Sequence, residues 1–319
     1  MIVTLEPAER ALAELERIDG IEVTTRYELS KAREPDVLAA GLGGAWATIA
    51  GSEPYTRSVF AAVPELKAVL RWGTGSDAID IDAATEAGVA VITTPGVNAE
   101  AVADMALGLM LACIRRLPAL DQAVRSTAWR LDGPTRDLAG STVGVVGLGA
   151  IGRAVTRRLR GFGCRVLALE PYPDEAFCSE YDVELTDLQS MLPRVDVLTL
   201  HAPANPSSRG LIGARELERL PPHAVLINTA RGELVDQGAL VRALHDGQIA
   251  AAGLDVFEHE PVPSGDPILA APNTIVSGHI SSFTELGLEG TKHALLANVR
   301  AVVDGRLPES CLNPEAWTG

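Results

Sequence analysis

The stretch 143–170, VGVVGLGAIGRAVTRRLRGFGCRVLALE, constrains the fold of this chain more tightly than any other. An apolar run ends in Gly147-Leu148-Gly149-Ala150-Ile151-Gly152, a helix-like segment follows, and a second apolar run ends at Glu170. Strand, glycine turn, helix, strand and acid, in that order, describe a dinucleotide-binding unit. Gly147 allows the tight turn, Gly149 lets backbone approach a pyrophosphate, and Gly152 lets helix pack closely on strand. The helix N-terminus offers unsatisfied N–H groups and a positive dipole end to phosphates. Glu170 lies eighteen residues past Gly152, where an acid accepts hydrogen bonds from an adenosine ribose.

At 319 residues the chain has the length of about two domains. Its formal charge of −15 argues against nucleic acid or an anionic membrane as a partner. An anionic ligand therefore needs a locally basic pocket. Lysine occurs only at Lys31, Lys67 and Lys292, so arginine must build it, which suits bidentate carboxylate recognition. Cys113, Cys164, Cys178 and Cys311 are scattered without metal-ligand spacing and read as reduced thiols. MIVTLEPAER has no signal-peptide core, and the apolar stretch Ala99–Ile114 is too short to span a bilayer. A cytoplasmic location is expected.

Strand-like and helix-like segments alternate throughout, which predicts an α/β protein with parallel sheets. Strands are expected at Ile2–Leu5, Glu22–Thr25, Ala47–Ala50, Ala68–Arg71 and Val89–Ile92, with helices at Pro7–Ile18 and Tyr55–Val63. A long helix, Asn98–Arg116, leads into a less regular link through Trp129 and Pro134. After the fingerprint come strands at Val197–Leu200, Val225–Asn228, Ala251–Leu254 and Thr274–Val276, helices near Ala214–Leu220 and Gln237–Asp246, and a last helix at roughly Glu285–Asp304.

Three polar positions follow apolar strands in the second half, where ligands collect in a doubly wound sheet. Arg231 stands in Asn228-Thr229-Ala230-Arg231-Gly232-Glu233, Glu260 in Asp255-Val256-Phe257-Glu258-His259-Glu260-Pro261, and His279 in Ser277-Gly278-His279-Ile280-Ser281-Ser282. Each alone is as readily a surface arginine, a solvated acid or a structural histidine. Together they are what oxidation of a 2-hydroxy acid needs: a cation for the carboxylate, and a base for the hydroxyl proton with an acid to orient it.

The chain resembles the D-isomer-specific 2-hydroxyacid dehydrogenase family, which includes D-3-phosphoglycerate dehydrogenases and glyoxylate/hydroxypyruvate reductases. Arg71-Trp72-Gly73-Thr74-Gly75-Ser76-Asp77 resembles the family's substrate loop, and Thr94-Pro95-Gly96-Val97-Asn98-Ala99 its crossover into the cofactor domain. Leu200-His201-Ala202-Pro203 resembles a segment that lies along the cofactor. The resemblance implies two Rossmann-like or flavodoxin-like domains with a cleft between them. A discontinuous substrate domain is expected over 1–98 plus 288–319, and an NAD-binding domain over 99–287. It implies catalysis by Arg231, Glu260 and His279. Cofactor contacts are implied from Gly147, Gly149, Ala150, Ile151, Gly152, Glu170, His201, Pro203, Thr229, Ala230, Arg231, Asp255 and His279, with Asp255 facing the nicotinamide carboxamide. Substrate contacts are implied from Arg71, Thr74, Gly75, Arg231 and His279. Two departures stand out: Glu170 where the family usually has aspartate, and Gly278 where many members have proline.

The expected function is NAD-dependent D-2-hydroxyacid dehydrogenase, most nearly phosphoglycerate dehydrogenase-like, with Arg71 and Arg57 as partners for a second anionic group. Arg71 is equally well a scaffold residue beside Trp72. The alternatives are reduction of glyoxylate, hydroxypyruvate or a phosphonate-bearing keto acid, or an NAD-sensing corepressor-like role. No metal and no carboxyl-terminal regulatory domain are expected. A homodimer is expected through the cofactor domains, because Val102, Met105, Leu107, Leu109, Met110, Leu111 and Ile114 do not fit one helical stripe.

Overall fold

The computed structural model describes residues 1–317. The chain divides into two α/β units, one comprising Met1–Asn98 with the chain from Thr284 onward, the other Ala99–Phe283.

In the first unit, β1 (Ile2–Val3), β2 (Thr24–Thr25), β3 (Ala47–Ala50), β4 (Ala68–Arg71) and β5 (Ala90–Ile92) form a parallel sheet in the order β2-β1-β3-β4-β5. Strands covered on both faces read as unbroken apolar runs, and β3 is buried at every position. On one face Leu295, Leu296, Val299 and Val302 of the helix Glu285–Val303 pack against Val3, Ile49, Leu70 and Ile92. On the other, Leu38, Val59 and Phe60 meet Val69 and Val91. Buried Asn313 ties the returning tail to β5, accepting from Val91 N at 2.8 Å and donating to Val89 O at 2.9 Å.

The second unit holds β6 (Thr142–Val146), β7 (Arg165–Leu169), β8 (Val183–Leu185), β9 (Val197–Leu200), β10 (Val225–Asn228), β11 (Ala251–Leu254) and β12 (Thr274–Val276). They form one parallel sheet, β12-β11-β10-β9-β6-β7-β8, whose order reverses between β6 and β9. A doubly wound sheet opens its ligand crevice at such a reversal, outside the carboxyl ends of the strands.

Among the elements that the sequence expectation did not name are the strand β8 and a helix after the long one. The edge strand β8 (Val-Glu-Leu) is short and not fully buried, so its apolar signal is weak. The link after the long helix begins with a helix of its own, Leu117–Arg125, with Pro118 in its first turn, where a missing N–H costs nothing. The long helix Ala99–Ile114 buries residues around most of its circumference inside its own unit, between the helix Ala150–Gly161 and strands β10–β12. Its all-round apolarity is therefore explained without a second subunit. No helix among the described residues is long and apolar enough to cross a membrane.

Candidate active site

At the end of β6 the chain turns at Gly147, whose φ of +92° is open to glycine and strained for other residues. A Cβ at Gly147 would lie 2.7 Å from Ala202 N, and one at Gly152 would lie 2.1 Å from Gly147 O. The two glycines thus let β9 and the helix Ala150–Gly161 close on the same turn. At Gly149 a Cβ would meet nothing within 4 Å, so this side of the turn is open. Gly149 is also the N-cap and supplies no side-chain acceptor to the first-turn amides. Glu170, past β7, accepts from Leu148 N at 2.8 Å and Tyr172 N at 3.0 Å.

Along the same sheet edge two buried polar atoms have no hydrogen-bond partner, His201 Nδ1 after β9 and Thr229 Oγ1 after β10. Buried polar groups are nearly always paired, so both mark a place where a polar ligand belongs. Open glycine turn, uncapped helix start, ribose-side acid and unpaired edge atoms fit a dinucleotide. Pro203 and Ala230 lie on the two loops that carry those atoms, and Ala150 and Ile151 start the helix. Among the described residues no group of three or more His, Cys, Asp or Glu is placed to hold a metal.

After β11 and β12 the polar set converges. His279 Nδ1 and Glu260 Oε2 are 2.6 Å apart, and Glu260 Oε1 accepts from Phe257 N at 3.0 Å. Burial pushes the Glu260 carboxyl up. The His279 hydrogen bond and charge, the Phe257 N–H and the Arg231 charge together outweigh it, so its pKa falls below the usual carboxylate range. An ionised carboxylate on Nδ1 fixes the tautomer and leaves Nε2 for proton exchange. His279 itself has φ +54°, an uncommon conformation for a residue with a side chain. Its N–H donates to Asp255 O at 2.7 Å, which holds the backbone there. Arg231 starts the short turn Gly232–Leu234 and donates from Nη1 to Ala230 O at 2.6 Å.

Asp255, expected to face the nicotinamide carboxamide, lies in the loop that follows β11. It is fully buried, and its carboxylate accepts from Ser277 Oγ, Ile280 N, and both the N–H and Oγ of Ser281. Asp255 shapes the loop that presents His279. Asn228 does the same for Arg231, accepting from Ala230 N at 3.0 Å and donating to Arg231 O at 2.8 Å. Gly232 packs so tightly that a Cβ would lie 1.9 Å from Phe257 C, which sets the arginine turn against the loop carrying Glu260. Sequence reasoning missed these supporting roles; the polar residues flanking each motif were the available signal.

In the first unit, the loop after β4 is held by Gly73 N donating to Thr94 Oγ1 at 3.0 Å and Thr94 N to Gly73 O at 3.0 Å. The N–H groups of Thr74 and Gly75 make no hydrogen bond among the described residues, so the loop offers two backbone donors. Arg71 staples this loop from beneath, donating to Gly75 O (2.9 Å), Trp72 O (2.8 Å) and Ala50 O (3.3 Å). This geometry is that of the scaffold alternative. Arg57, exposed, is ion-paired with Glu86. Within the second unit a cavity of about 380 Å³ lies at the opposite edge of the sheet from the His279 loop, between Cys113, Pro118, Arg136, His223, Ala251 and Thr274.

Residues 107–281 match the family model for the D-isomer specific 2-hydroxyacid dehydrogenase NAD-binding domain. A glyoxylate reductase of Korarchaeum cryptofilum is 34% identical over 99% of this chain and 96% of its own length. A D-3-phosphoglycerate dehydrogenase of Methanocaldococcus jannaschii is also 34% identical, over 98% of this chain but 59% of its own length. A D-lactate dehydrogenase of Aquifex aeolicus, solved with NAD and lactic acid, superposes with a TM-score of 0.89 at 26% identity over 98% of both chains. The chain belongs to the D-isomer specific 2-hydroxyacid dehydrogenase family and is an NAD-dependent oxidoreductase acting on the CH–OH group of 2-hydroxyacids.

Proposed function

We propose that the enzyme reduces a small 2-keto acid bearing one carboxylate, of the glyoxylate or hydroxypyruvate kind, to its D-2-hydroxyacid. The observation that carries the chemistry is the His279–Glu260 pair at 2.6 Å on the sheet edge that also carries Arg231. NAD, when bound, supplies hydride exchange at its nicotinamide. Nε2 of His279 delivers the proton to the carbonyl oxygen in reduction and takes it from the hydroxyl in oxidation. Glu260 stabilises the protonated ring and holds its orientation. Arg231, whose charge cannot be lost, holds the substrate carboxylate.

Two observations favour a small substrate over a phosphorylated one. Arg71 is committed to three loop carbonyls and Arg57 to Glu86, so neither candidate for a second anionic group stands ready.

Steady-state assays with NADH and glyoxylate, hydroxypyruvate, pyruvate and 3-phosphohydroxypyruvate test this reading. Higher kcat/KM on the first two is expected, and a clear preference for the phosphorylated acid would overturn it. His279→Ala should lower kcat by about 100- to 10,000-fold while NADH still binds. Glu260→Gln should lower kcat, because the ring then loses the carboxylate that holds its orientation. Near-normal turnover in His279→Ala removes the histidine from the mechanism.

The working form proposed is a homodimer through the second unit. Segment 115–136 carries five arginines and two aspartates in a chain of net −15. It also exposes Leu117, Val124 and Trp129, the last at 71%. A basic, apolar arm on an acidic chain suits docking onto a second copy.

A further inference from the structure

Glu170 is the expected contact of the adenosine ribose, and a second acid stands close to it. Arg153, in the first turn of the helix Ala150–Gly161, donates from Nε to Leu148 O at 3.0 Å. The same residue's N–H donates to Glu170, so one residue of the glycine turn bridges the acid and the arginine. Arg153 is turned onto Asp174, with Nη1 2.8 Å from Oδ2, and its guanidinium lies 5.3 Å from the centre of the Phe177 ring. Nη2 makes no hydrogen bond among the described residues. The group thus sets one positive charge against two negative ones beside the expected ribose.

We propose that Asp174 is a specificity-determining residue: by pairing with Arg153 it withholds the cation that a 2′-phosphate needs, so that the site accepts the unphosphorylated dinucleotide. A 2′-phosphate is dianionic and is accommodated in this fold by an arginine near the end of the second strand. Here that arginine is present and neutralised. Removing Glu170 alone lifts the repulsion but leaves Arg153 spent on Asp174. Removing both acids leaves Arg153, steadied by Leu148 O and the Phe177 face, with its charge available. Asp174 also caps the helix Glu175–Glu180, accepting from Phe177 N at 3.1 Å. Asparagine keeps that cap and removes the charge, which separates the two roles.

The proposal rests on the reading that Glu170 marks the ribose, and binding measurements separate the two. AMP and adenosine 2′,5′-bisphosphate are titrated calorimetrically into the full chain, wild type and Glu170→Ser. The same titrations are run on Glu170→Ser/Asp174→Asn, with Asp174→Ser as the alternative cap-preserving change, and on the double variant carrying Arg153→Ala. Adding Asp174→Asn should tighten the bisphosphate relative to AMP by about tenfold, the scale of one charge-assisted hydrogen bond. Arg153→Ala should abolish that gain. The NADPH-to-NADH ratio of kcat/KM should follow in the same order. No gain from the Asp174 change, or a gain that survives loss of Arg153, overturns the proposal. If Glu170→Ser leaves the ratio of the two ligands unchanged, the ribose lies elsewhere and the proposal falls with that reading.

Discussion

His201 shows how strongly a neighbourhood rewrites a side chain. Burial pushes its imidazole down to about 3, so the folded ring stays neutral; Nε2 shares a hydrogen bond with Thr199 Oγ1 at 2.9 Å. An unfolded histidine takes up its proton below about pH 6.5. Between that pH and about 3, therefore, the unfolded chain binds more protons than the folded one. This contribution to stability is fully present above pH 6.5 and is lost as the pH falls. Urea unfolding of wild type and His201→Asn at intervals between roughly pH 6 and 5 should show slopes differing by up to one proton, about 1.4 kcal/mol per pH unit. Equal slopes would mean that the folded ring is protonated. Arg231, Glu260 and His279 were legible in the sequence because each ends a motif after an apolar strand. The bonds of Asp255 to the His279 loop were not, since its partners Ser277, Ile280 and Ser281 lie more than twenty residues further along the chain.

At the scale of elements, the strand–turn–helix at 142–161 depends on contact as much as on propensity. Alanine in place of a helical glycine ordinarily gains about 1 kcal/mol. At Gly152 the added methyl would sit 2.1 Å from Gly147 O, and overpacking of this kind costs about 1–3 kcal/mol. Contact should win, so Gly152→Ala is expected to lower the denaturation midpoint and weaken NADH binding together. A midpoint at or above wild type would show that the turn yields at no cost. Parallel strands such as β9 and β10 were legible as continuous apolar runs, because both their faces are covered. The helix Leu117–Arg125 was not, since its exposed Leu117 and Val124 interrupt the polar pattern of a surface helix.

At the scale of the molecule, the dimer reading shifts from one element to another. The helix Ala99–Ile114 is covered by its own unit, so the proposed contact moves to the arm at 115–136, which exposes Leu117, Val124 and Trp129. Sedimentation equilibrium at micromolar concentration should give twice the chain mass, and Val124→Asp with Trp129→Asp should return it to the monomer. A wild-type chain that sediments as a monomer rules the arm out as a dimer contact.

The sequence by itself determined the fold class, the glycine turn and the identity of the chemical groups, because these depend on local periodicity and on residues that have few substitutes. Only the tertiary structure decided how those groups are spent. Arg71 is a staple because Ala50, Trp72 and Gly75 turn their carbonyls toward it. Arg153 is a neutralised cation because the chain from β7 brings Asp174 within 2.8 Å. A charge can be read from one residue, but its partners come from distant parts of the chain, and they decide whether it meets a ligand or the protein itself.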